Sequence, residues 1–189
     1  MKTLKVNKLE ICISDIQVKD YILFEEKKID PSNRNATNNS VGFNAAMFWL
    51  FSNFYTIKTT EEKLTRDVLD KYNFEVHHTL ALIAELTRVT GELTIYDDVS
   101  TYEESNHFKY KNFEVERVKI PYSETYQFTR GVQNKKDNMS TLALNKKFLL
   151  KYFKVNGEML SEAHFNDTKL MPIDLFLVLS VRLGKLLAV

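Results

Sequence analysis

The chain has 189 residues, 44% of them apolar and 27% charged, with a formal net charge of +1. That apolar share supports a folded core and argues against wholesale disorder. The near-zero charge removes the sequence-independent electrostatic attraction that drives most nucleic-acid binding. A single cysteine, Cys12, excludes an internal disulfide, a cysteine zinc site and a redox pair. Lysine outnumbers arginine, and Asn, Phe and Tyr are plentiful, as in chains encoded by AT-rich genomes.

In chain order, Leu4 to Ile13 alternates loosely and reads as a strand. Ser14 and Gln17 match a capping box, predicting a helix from Asp15 to about Ile29. Pro31 disfavours helix in the residue before it and ends that segment. Residues 31–42 are almost wholly polar and read as a flexible loop, or as one that orders on a partner. Phe43 to Ile57 reads as a strongly aromatic helix, with Phe48, Trp49 and Phe51 as candidate docking residues. Thr59 and Glu62 suggest a second capping box. The helix expected there carries Leu64, Val68 and Tyr72 as its apolar stripe. A further helix is expected from about Phe74 to Thr90, carrying Val76, Leu80 and Ile83, with Gly91 as its stop.

Between residues 92 and 130 helical periodicity fades, and Leu93–Tyr96, Phe108–Tyr110 and Phe113–Ile120 are strand candidates. Thr141 to Lys151 leans to helix. Asn156-Gly157, between Tyr152–Val155 and Glu158–Leu160, is a hairpin signal, because a type I′ turn needs positive φ at both central residues. Pro172 is expected at the first position of a last helix, with Asp174 near its positive end. Leu175, Phe176, Val178, Leu179, Leu183, Leu186 and Leu187 make that helix a core or docking element, with Phe176, Leu179 and Leu183 its candidate docking residues. The expected fold is α+β: a helix-rich single domain over 1–189. Its small, mostly antiparallel sheet combines the first strand, the 92–120 region and the C-terminal hairpin.

Chemistry is thinly signalled. The phosphate-binding glycine loop, nucleophile elbow and HExxH motifs are absent from the sequence. His77-His78 could supply a catalytic or metal histidine completed by His107 or His164. Adjacent helical side chains point apart, however, so one half-buried and one surface histidine is the simpler reading. Asp97-Asp98 and Glu103-Glu104 could hold a divalent cation, but they match no calcium loop and read as a solvated acidic turn. Cys12 reads as a small core hydrophobe. The aromatic helix has no Lys or Arg before Lys58, so it lacks the cationic track of a single-strand stacking platform. Lys135-Lys136 and Lys146-Lys147 read as solvated surface. The expectation is therefore no catalytic residue, no cofactor and no bound metal.

The C-terminal pattern runs Lys154-Val155-Asn156-Gly157-Glu158, then Phe165-Asn166-Asp167, then Leu170, Pro172 to Leu179 and Arg182. It resembles the ends of small phage tail and baseplate assembly proteins, the T4-like baseplate hub assembly group above all. The resemblance spans residues 148–187, about a fifth of the chain. It implies a class, virion assembly without catalysis, and no particular functional residue. The leading expectation is a non-enzymatic tail or baseplate assembly factor, an assembly chaperone, or a minor virion component acting on other phage proteins. Two alternatives are a small hydrolase or nuclease using His77 or His78 with the 97–104 carboxylates, and a host-takeover or anti-defence protein. The absence of a signal-like N-terminus and of 18 clean apolar residues points to a host-cytoplasmic or virion location without membrane partners.

Overall fold

The computed structural model describes residues 2–28, 40–84, 106–121, 123–124 and 141–187. The chain divides into two compact units, Met1–Val89 and Thr90–Val189. Both combine helices with a small antiparallel sheet, so the fold class is α+β.

The N-terminal unit begins with a hairpin. Strand β1 (Lys2–Val6) pairs with β2 (Leu9–Ile13) in the register Lys2↔Ile13 to Val6↔Leu9. What reads as one long strand is broken by Asn7-Lys8, where both residues take positive φ, 49° and 65°. That is the type I′ requirement met without a glycine. Asn tolerates the left-handed region, and its side-chain amide donates to the Tyr72 and Asn73 carbonyls at 2.8 and 3.3 Å. Cys12 is buried, as expected of a core thiol, with its Sγ 3.8 Å from Thr3 Oγ1 across the pair.

Helix α1 (Val18–Lys27) starts three residues later than the Ser14 signal suggests. Its cap is Gln17, in a reciprocal box with Asp20. The Ser14 N–H is already committed to the Phe54 carbonyl at 2.8 Å, which keeps Ser14 extended. Helix α2 (Ser40–Phe54) lies against α1. It takes residues 40–42 from the expected polar loop, and residues 31–39 of that loop lie outside the described residues. Near its C-terminus, Ser52 Oγ and Asn53 Nδ2 donate to the carbonyls four residues back, both at 2.7 Å, a local back-bonding typical of short polar side chains in a helix. The chain then straightens into β3 (Tyr55–Ile57), which pairs with β2 as Ile11↔Ile57 and Ile13↔Tyr55. Tyr55 to Ile57 were expected as helix. The β-propensity of Tyr-Thr-Ile and the open edge of β2 decide otherwise.

The second expected capping box also moves. Glu61 sits at φ 59°, and the cap of α3 (Arg66–Lys71) is Thr65, whose hydroxyl accepts from the Val68 N–H at 3.4 Å. Leu64 is fully buried but precedes the helix. Residues 76–84 form α4.

In the C-terminal unit, β4 (His107–Tyr110), β5 (Phe113–Arg117), β6 (Phe153–Val155) and β7 (Glu158–Met159) make an antiparallel sheet in that order. The single sheet expected from the sequence is thus two sheets. The first strand folds back on its immediate neighbour and is used up in the N-terminal unit. The Asn156-Gly157 turn forms as expected, with φ of 51° and 84°. Helix α5 (Thr141–Tyr152) leads directly into β6, a four-residue helix α6 (Glu162–Phe165) follows β7, and α7 (Ile173–Leu187) lies against α5. Pro172 sits one place before the expected first helical position, because its carbonyl already accepts from the Phe176 N–H at 3.1 Å. Asp174 is held where the dipole favours it and also accepts from the Tyr110 hydroxyl at 3.0 Å and pairs with Lys111.

Leu175, Phe176, Leu179 and Leu183 are fully buried, and the Phe176 ring meets Phe165 edge-on at 5.9 Å. Truncating such a leucine costs about 2–5 kcal/mol. Leu179→Ala should therefore lower Tm by about 8 °C or more in thermal circular dichroism. An unchanged Tm would show that this face of α7 is not core.

Candidate functional site

The N-terminal unit carries an open apolar groove of about 610 Å³. One face of α2 supplies Phe43, Met47 and Phe51, spaced four apart, with Asn44 and Phe48 beside them. Helix α3 supplies Arg66, Leu69 and Asp70. The link and α4 supply Phe74, Glu75, Val76, Thr79 and Leu80. Phe51, Leu69 and Met47 are buried and form the floor, whereas Val76 and Leu80 stand 75% and 49% exposed on the α4 wall. Two large apolar side chains therefore stand in water at the lip of a concave surface.

The walls are fixed locally. Phe51 meets Tyr55 edge-on at 5.1 Å, and the Tyr55 hydroxyl donates to the Leu82 carbonyl at 3.0 Å in the interior. That bond and the burial of Leu82 and Ile83 seat α4. The Arg66 guanidinium lies over the Phe48 ring at 6.0 Å. Glu62 braces α3 from outside, accepting from Lys71 Nζ at 2.7 Å and from the Tyr72 hydroxyl at 2.9 Å. Those donors, Lys71 first, hold its carboxyl below its ordinary value of 4.5.

The expected docking residues divide. Phe176, Leu179 and Leu183 are fully buried within the folded chain, so they are packing residues and offer no exposed docking face; Phe51 is equally buried and serves only as packing in the groove floor. This is a correction, and its cause is that each helix buries the face on which they lie. Phe48 is half-buried and lines the groove. Trp49 is half-buried but outside the groove lining, edge-on to Phe54 at 5.7 Å with the Lys27 ammonium 5.6 Å above its ring. Val76, Leu80, Arg66 and Asp70 went unassigned as site residues in the sequence. The signal present was the four-residue spacing of Phe43, Met47 and Phe51, and of Val76 and Leu80.

The histidines have local roles. His77 and His78 rings lie 3.8 Å apart, His77 Nδ1 is 3.3 Å from a Glu75 carboxylate oxygen, and His78 Nδ1 accepts from the Glu75 N–H at 3.0 Å, capping α4. Asp97, Asp98, Glu103 and Glu104 lie outside the described residues. In the C-terminal unit, His107 faces Glu116 at 3.8 Å. His164 Nδ1 accepts from the Ser161 N–H at 3.2 Å and lies 2.9 Å from its hydroxyl, an α6 cap. Among the described residues no three His, Cys, Asp or Glu side chains gather as a metal site. No helix of the described residues is long and apolar enough to cross a membrane.

Comparison with protein-family models, with curated proteins and with solved structures gives no match.

The Glu62 brace has a pH signature. A carboxylate with a depressed folded-state pKa contributes stability above its unfolded value, and that contribution is lost as pH falls through the folded one. Glu62→Gln should lower Tm at pH 7, and the gap to the parent should close as pH falls below the ordinary carboxylate value of 4.5 and through the lower folded-state one. A gap independent of pH would place the effect in packing instead of charge.

Proposed function

We propose that this protein acts by protein–protein contact and without catalysis, as an assembly factor or minor component of a phage virion. The observation that carries the contact reading is the groove, with its buried aromatic floor and its exposed Val76 and Leu80. A volume of about 610 Å³ lies in the about 300–1,000 Å³ range of ligand clefts. Its lining is dominated by aliphatic and aromatic side chains, which recognise apolar side chains by burial. The phage part of the reading is supported by the likeness of residues 148–187 to phage tail and baseplate assembly proteins.

The test is co-production of the tagged chain with the products of neighbouring genes. The parent should bring down one virion protein in stoichiometric amount. Val76→Glu with Leu80→Glu should lose it while Tm stays within a few degrees, since exposed positions rarely cost more than about 0.5 kcal/mol each. Retention of the partner by the double variant would overturn the groove as the contact site. Turnover of a substrate by the purified chain would overturn the non-catalytic reading.

A further inference from the structure

We infer that the groove of the N-terminal unit takes an amphipathic helical segment of a partner protein whose apolar side chains are flanked by lysine or arginine. The inference rests on the contact reading above and adds the chemistry of the occupant. Three charged side chains line the groove: Arg66, Asp70 and Glu75. Arg66 is engaged with the Phe48 ring at 6.0 Å. Asp70 is exposed, and among the described residues no hydrogen bond or ion pair engages its carboxylate. Glu75 is 73% exposed and faces only His77, at 3.3 Å. The lip therefore carries two solvated carboxylates against one guanidinium already placed over an aromatic face.

An anionic amphiphile, such as a fatty acid, would set its head group against Asp70 and Glu75. A basic flank would instead meet them, gaining orientation and association rate from charge complementarity. The form of the occupant follows from the walls. Helices α2 and α4 line the groove with apolar side chains four residues apart: half-buried Phe43 above the buried Met47 and Phe51 on one, and exposed Val76 and Leu80 on the other. A third helix with apolar residues at i, i+3, i+4 and i+7 offers a matching ridge and would cover the exposed Val76 and Leu80.

The probe is a fluorescein-labelled helical peptide with leucines at i, i+3, i+4 and i+7 and a lysine pair at each end, followed by fluorescence anisotropy on the full chain. Two further peptides replace every lysine by glutamate or every leucine by glutamine. The lysine peptide should bind, the glutamate peptide about tenfold more weakly or worse, and the glutamine peptide not at all. Raising the salt concentration should narrow the lysine-over-glutamate preference, and Asp70→Asn with Glu75→Gln should abolish it with Tm unchanged. Equal binding of the lysine and glutamate peptides would leave the contact reading standing and overturn the basic partner. A preference for the glutamate peptide would overturn it as well. Undiminished lysine-peptide binding by Val76→Glu/Leu80→Glu would place the peptide elsewhere on the chain and overturn both readings, as would failure of every peptide to bind.

Discussion

The Tyr55 side chain joins three elements of the N-terminal unit at one point. Its ring meets Phe51 of α2, its backbone pairs with Ile13 of β2, and its buried hydroxyl donates to Leu82 of α4. A buried phenol without a partner would cost about 1–3 kcal/mol, so the Leu82 carbonyl is a directional constraint as well as a contact. It ties β3, which directly follows α2, to α4, while Val76 and Leu80 of α4 stay exposed at the groove.

The abrupt passage from α2 to β3 makes that placement possible. Lys63 Nζ donates to the Asn53 carbonyl at 3.2 Å, and the Phe54 carbonyl takes the Ser14 N–H at 2.8 Å. With its last two carbonyls satisfied in this way, the helix stops without glycine or proline. The C-terminal unit uses the same economy. Helix α5 runs into β6 without a linking residue, and Asp174 at the start of α7 ties down the β4–β5 turn through Tyr110 and Lys111.

Legibility in the sequence followed the range of the interaction responsible. Asn156-Gly157 was readable because two adjacent residues with a shared φ requirement define the turn. Asn7-Lys8 makes a similar turn without a sequence signal, since lysine carries none and its left-handed φ is imposed by the pairing on either side. Ser14 and Thr59 looked like caps, yet Gln17 and Thr65 are the caps. In the first case a long-range bond from Ser14 to Phe54 removed the nearer candidate, and no window of sequence contains both partners.

The class of the fold, an α+β chain with antiparallel pairing, is legible from residue order alone, because composition, hydrophobic period and turn chemistry are local properties. So is the deeply apolar character of α7. Tertiary structure alone decided that Phe51, Phe176, Leu179 and Leu183 are interior while Val76 and Leu80 are not. All six are equally hydrophobic as residue types, and burial depends on which neighbour reaches each face, a property of packing and not of the residue. The acidic lip belongs to the same category: Asp70 closes α3 and Glu75 opens α4, and they share one groove because the short link through Phe74 folds the two helices around it.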